Sequence, residues 1–150
     1  MHSLNLPTYT FKFRKHEEVD FIYDKIRNKY ILLTPEEWVR QHLLMFLIHH
    51  LGYPKGLIKV ESGLVYNKRV KRSDIIVYNN LGMPTILVEC KSPKVAISQS
   101  TMEQVAMYNK TLKARIIVLS NGLEHYTFKI GENGELINLS EIPKYESEIV

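Results

Sequence analysis

The stretch Asp74-Ile-Ile-Val-Tyr-Asn-Asn-Leu-Gly-Met-Pro-Thr-Ile-Leu-Val-Glu-Cys-Lys91 decides how the chain is read. Two apolar runs, Ile75 to Tyr78 and Thr85 to Cys90, flank the turn signal Asn79-Asn80-Leu81-Gly82 and predict an antiparallel hairpin. With the turn centred between Leu81 and Gly82, facing residues have numbers that sum to 163. Asp74 then falls opposite Glu89, and a two-residue slip leaves it on the same face. Glu89 and Lys91 are two apart and share one strand face, while Val88 and Cys90 share the other.

Downstream, residues 97–112 place Met102, Val105, Ala106, Tyr108 and Leu112 at helical spacing. Ala114 to Leu119 then reads as a short buried strand that ends at Ser120-Asn121-Gly122. A helix between two apolar strands is a crossover, so the flanking strands are expected to be parallel, with right-handed connectivity. Tyr126 to Ile130 and Glu135 to Leu139, around Gly131-Glu132-Asn133-Gly134, predict a closing hairpin.

Upstream, Thr34-Pro35-Glu36-Glu37 is a helix start, with Thr34 as N-cap, Pro35 at the first helical position and Glu37 completing a capping box. Val39, Leu43, Phe46, Leu47 and Leu51 follow at helical spacing until Gly52 and Pro54 stop the run. Gly56 to Tyr66 and Ser73 to Tyr78 are strand-like. Residues 7–33 alternate without a clear period and are expected to hold one or two short strands. The resulting order, α-β-β-β-α-β plus a hairpin, predicts a mixed-sheet α/β domain. It divides into an N-terminal segment (1–33), a core (34–122) and a closing hairpin and tail (123–150), with no internal repeat or linker.

Composition narrows the function. A chain of 150 residues and 17.6 kDa, 45% hydrophobic and 24% charged, is one soluble domain rather than a disordered tail or a multi-domain machine. No G-x-x-x-x-G-K-[ST] occurs, so no ATP site or motor is expected in it. The lone Cys90 allows no internal disulfide, and the first residues lack an export signal, so a cytoplasmic location is expected. The apolar run Leu43 to Ile48 is far shorter than the ~20 residues of a membrane span, and no membrane role is expected. Net charge is +4, but residues 131–150 hold five acids against Lys144, which leaves the first 130 residues at +8. A body this basic suits a polyanionic partner.

Asp74, Glu89 and Lys91 carry the chemistry. Two carboxylates near a sheet interior repel unless a cation lies between them. Oxygen ligands from Asp74 and Glu89, with the Cys90 backbone carbonyl, suit Mg²⁺, for which Mn²⁺ can substitute. Lys91 is placed to orient or deprotonate an attacking water, or to hold the scissile phosphate. The expected activity is metal-dependent phosphodiester hydrolysis. The bland alternative makes Glu89 and Lys91 a solvated pair and Asp74 a turn residue, and an isolated E-x-K is common enough to be no more than that.

The sequence resembles the PD-(D/E)XK nuclease superfamily and, within it, the N-terminal nuclease domain of type I restriction enzyme R subunits. The resemblance lies in Thr34-Pro-Glu-Glu-Trp-Val-Arg-Gln41, Lys71-Arg-Ser-Asp-Ile-Ile-Val-Tyr78, Ile86-Leu-Val-Glu-Cys-Lys-Ser92, and Gln104-Val-Ala-Met-Tyr108 leading to Val118-Leu-Ser-Asn-Gly122. It implies a restriction-endonuclease-like fold, Asp74 and Glu89 as metal ligands, and Lys91 as the catalytic lysine. It also implies DNA as substrate, a first-helix glutamate near the metal, and a Gln104-x-x-x-Tyr108 element beside the active site. Ser73 stands where the superfamily motif carries Pro. In the restriction enzyme such a domain is fused to a translocase, and none is expected within these 150 residues.

On a helical wheel Glu36 sits near the centre of the apolar stripe and Glu37 at its edge, whereas the family's spacing favours Glu37 as the metal-associated residue. Gln104 and Tyr108 are four apart and share a helix face. Lys68, Arg69, Lys71 and Arg72 flank the strand carrying Asp74 and are expected to contact phosphates, with a solvated loop as the alternative. His42 and His49 share a face but lack a third zinc ligand, and Cys90 is expected to face the core. Cutting both strands takes two sites or two events, so a homodimer is among the expected partners. The rival expectation is a catalytically inactive DNA-binding or scaffold module of the same fold.

Overall fold

The computed structural model describes residues 1–60, 64–66, 69–71 and 75–146, with side chains outside the description at 64–66 and 69–71. The N-terminal segment forms a complete antiparallel meander of β1 (Phe13–His16), β2 (Val19–Asp24) and β3 (Lys29–Leu32), rather than the one or two strands expected. Its turns carry no glycine. Glu17, Glu18 and Asn28 take the positive φ values instead, at 48°, 65° and 54°, so the usual sequence signal for a hairpin is missing. Asp24 ends β2 by accepting hydrogen bonds from Ile26 N and Arg27 N, both at 2.8 Å.

Helix α1 (Pro35–Met45) starts as expected, with Thr34 Oγ1 accepting from Glu37 N at 3.0 Å. Only half of the capping box forms, because the Glu37 carboxylate turns inward to Arg27, Arg40 and Gln41. The helix runs on into a π-helical turn, Phe46–His50, and Gly52 at φ +77° reverses the chain. The wheel reading of the two glutamates is reversed: Glu37 is buried and Glu36 half-exposed. A single-stripe wheel fails because α1 is covered twice. Val39, Leu43 and Leu47 pack toward the sheet, while Gln41 and Glu37 meet the meander.

A 3₁₀ turn at Lys55–Leu57 uses the first residues of the strand expected from Gly56, so β4 covers only Ile58–Lys59. Strands β5 (Leu64–Tyr66) and β6 (Arg69–Lys71) pair with each other as a separate ribbon. Then come β7 (Ile75–Tyr78), β8 (Pro84–Cys90), α2 (Gln99–Leu112), β9 (Ile116–Ser120), β10 (His125–Ile130) and β11 (Leu136–Leu139). The main sheet has the order β11-β10-β9-β8-β7-β4. Its β8–β9 pair is parallel and its other pairs antiparallel, as the crossover predicts.

The pairs Ile75/Val88, Ile76/Leu87 and Val77/Ile86 have the expected register, and a bulge at Tyr78 then shifts it. Ile86, Val88 and Cys90 face α1 in one apolar cluster, and Ile76 and Leu87 face α2 with Val105, Tyr108, Ile117 and Leu119 in another. The order α1-β4-β7-β8-α2-β9 is the mixed α/β core expected from the sequence. Among the described residues no helix is long and apolar enough to cross a membrane.

Candidate active site

Period-2 alternation along β8 puts Glu89 on the α2 side, beside its neighbour Leu119 in β9. Its side chain is only 4% exposed. Lys91 lies just past the strand, where its backbone N–H donates to Ser120 O at 2.8 Å and so pins it to the end of β9. From there its ammonium reaches to 3.6 Å from Glu89 Oε1, with 30% of the side chain exposed. The pair therefore spans the boundary between a buried carboxylate and solvent. A buried carboxylate is costly unless a cation compensates it, and here the cation comes from two residues away on the same face.

Cys90, between them, is buried on the α1 side as expected, an unoxidised thiol within the apolar cluster. Among the described residues no three His, Cys, Asp or Glu side chains are close enough to share a metal ion. Asp74, the second expected ligand, lies outside the described residues, as do Lys68 and Arg72. Arg69 and Lys71 lie in β6, where only the backbone is described.

Residues 35–143 match the family described as type I restriction enzyme R protein N terminus (HSDR_N). The chain belongs to that family. A solved structure titled as a fragment of an HsdR subunit of a type I restriction enzyme from Vibrio vulnificus YJ016 is similar at 25% identity, with a TM-score of 0.40. The similarity covers 58% of this chain and 16% of that one. No curated protein matches the chain.

The other residues expected around an HSDR_N site fall into two places. Gln104 is exposed on α2, and Tyr108, one turn later, is 4% exposed against Ile76, Leu87 and Leu119. Glu37 belongs to a second constellation, an ion cluster between β2 and α1. Asp24, fully buried, accepts from Arg27 Nε at 2.8 Å and Gln41 Nε2 at 3.0 Å and pairs with Arg27 Nη2 at 2.8 Å. Glu37 accepts from Gln41 Nε2 at 2.9 Å and pairs with Arg27 and Arg40. Burial alone would raise the Asp24 carboxyl, but the Arg27 backbone and guanidinium bonds, the Arg27 charge and Gln41 together hold it below its ordinary value.

Asn121 was not foreseen as a site residue. Its Nδ2 donates to Val95 O at 2.9 Å, tying the loop after Lys91 to the end of β9. Its Oδ1 accepts from Leu123 N and Glu124 N. In the sequence it reads only as part of a turn signal, because the loop it holds is 26 residues away.

Proposed function

We propose that this chain is the nuclease domain of a type I restriction enzyme R subunit, a Mg²⁺-dependent hydrolase of DNA phosphodiester bonds. The observation that carries the reading is the buried Glu89 carboxylate with Lys91 Nζ 3.6 Å away, on the strand end that follows the β7–β8 hairpin. Asp74 precedes Ile75, whose partner in β8 is Val88. In this reading it supplies the second carboxylate.

The carboxylate held at the edge of solvent fits a hard divalent ion, and among the described residues no soft ligand faces it. Such an ion, when bound, neutralises phosphate charge and activates water. Glu89 would hold such an ion, and the Cys90 backbone carbonyl would add an oxygen. Lys91 donates to the scissile phosphate or to the attacking water, its position fixed by the bond from its own N–H to Ser120 O. Glu37 is left out of the ligand set, since Arg27 and Arg40 already compensate its charge. Gln104 lines the approach on α2, while Tyr108 packs beneath it in the apolar cluster.

The test is incubation of supercoiled and linear DNA with Mg²⁺ or Mn²⁺. Wild type should nick or cut, and Asp74→Ala, Glu89→Ala and Lys91→Ala should each stop it. Wild-type protein that neither binds a divalent ion nor turns over any DNA form sinks the reading.

A further inference from the structure

We infer that the outer face of the β1–β3 meander is a platform for single-stranded DNA, with Lys12 and Arg14 on the phosphates and the Tyr23, Tyr30 and Arg14 planes under the bases. The choice of DNA over RNA rests on the nuclease reading above, while the platform itself shares no residue with that site. The register defines the face. Phe13 pairs with Ile22 and Ile22 with Ile31, and this set points toward α1, where Phe13 meets Trp38 at 6.3 Å between ring centroids and Asp24 bonds Gln41. The alternate residues point away from α1. They form two rows across the sheet. One is Arg14, Phe21 and Leu32, and the next is Lys12, Tyr23 and Tyr30, its first step fixed by the bond from Tyr23 N–H to Lys12 O at 2.9 Å.

Each row starts with a cation at β1, an outer strand of the meander, and continues with rings or apolar groups over β2 and β3. Lys12 and Arg14 are exposed and stand two residues apart, about 7 Å along that edge. Neither acid of β2 faces them: Asp20 points the other way and pairs with Lys15 at 3.4 Å, and Asp24 is buried against α1. His16 begins a third row, but Glu17 lies 3.8 Å from it, so the basic edge ends at Arg14. The half-buried Tyr23 and Tyr30 rings meet edge to face at 5.2 Å, which fixes both on the face. The Arg14 guanidinium carbon lies 4.2 Å from the Tyr30 centroid, and Lys12 Nζ 5.9 Å from that of Tyr23. A guanidinium seated on one ring keeps its outer plane for another, so a base stacked on Arg14 extends the pile. Cations sorted to one edge and aromatic surface to the middle match a strand with phosphates on one side and bases on the other. A duplex hides its base faces, so the platform favours unpaired strands.

The experiment is anisotropy titration of a labelled dT oligomer of about 12 nucleotides, without divalent ions, between roughly 50 and 200 mM salt. It compares wild type with Tyr30→Leu, Tyr30→Phe, Lys12→Gln/Arg14→Gln, and Lys129→Gln, an exposed lysine on β10. Tyr30→Leu should weaken binding about fivefold or more with little change in salt slope, and Tyr30→Phe, which keeps the ring, should match wild type. The double variant should lower the slope of log K against log salt by about 1.4, since each lost contact to a single strand removes about 0.7. Lys129→Gln should match wild type. A double variant that binds like wild type overturns the inference, even if wild type cuts DNA, and decides the matter alone if Tyr30→Leu does not fold. A slope that falls while a folded Tyr30→Leu binds like wild type also overturns it, leaving charge without stacking. Wild type without dT affinity overturns it too, and a dimer that Tyr30→Leu dissociates then gives the face to a second copy. The stated losses in a protein that cuts no DNA uphold the platform and remove the nuclease reading.

Discussion

The Lys91 ammonium stands 3.6 Å from Glu89 Oε1, and Lys91 is fixed there by its own N–H on Ser120 O rather than by its side chain. The backbone anchor lets the two side chains be varied separately. Glu89→Gln keeps the shape and removes the charge, and should lower Mg²⁺-dependent DNA cleavage by about 10²-fold or more while leaving DNA affinity near that of wild type. Lys91→Met should do the same. Equal cleavage by wild type and Glu89→Gln in a plasmid-nicking assay would remove Glu89 from the chemistry.

Asp24 should matter to stability as much as any apolar residue. It is fully buried and held by Arg27 and Gln41, so Asp24→Ala leaves a guanidinium and an amide with Glu37 as their remaining partner and should cost about 3 kcal/mol in urea denaturation. Its lowered carboxyl adds a pH signature. The stabilisation is fully present above the ordinary aspartate value of about 3.9 and is lost as pH falls through the lowered one. Wild type should lose stability over that acid range more steeply than Asp24→Asn.

His42 predicts a second, milder pH dependence. Burial holds its imidazole below the ordinary value, against the opposing bond to Trp38 O at 2.8 Å. The neutral form is therefore the folded one. The His42 contribution is complete above about 6.5 and falls as pH drops below it toward the lowered value. Urea midpoints should decline between neutrality and mild acid in wild type, and more weakly in His42→Phe. The same slope in both would show that other groups set it.

Asn121→Ala should loosen the loop after Lys91. It removes the donor to Val95 O and the acceptor for Leu123 N and Glu124 N; these three residues are exposed, so water can take over the freed backbone groups and each lost bond costs about 0.5–1.5 kcal/mol. Amide exchange over residues 92–96 should speed up before the β8 amides do. Unchanged exchange there would mean that the loop is held by other contacts.

The hairpin register was legible because a short turn between two apolar runs fixes which residues face each other, and Ile75/Val88 to Val77/Ile86 follow it. The parallel β8–β9 pair followed from the crossover helix for a similarly local reason. The meander was only half legible, since Glu17, Glu18 and Asn28 make its turns in place of glycine. The role of Glu37 was hidden further. Its neighbours Arg27 and Gln41 come from different elements, and a helical wheel assumes that one face is covered when α1 is covered on two. Asn121 acts across a distance that no local pattern reports.

The family match begins at residue 35, yet the fold does not. Asp24 and Arg27 close the ion cluster around Glu37 from the N-terminal side, and Asn5 donates its N–H to Gly122 O at 2.7 Å, at the end of the strand that anchors Lys91. A protein trimmed to the matched region would therefore lose the far wall of its first helix and a brace on its active strand. The recognisable region is smaller than the cooperative one, and any fusion or transplant of this domain has to carry its first thirty-four residues along.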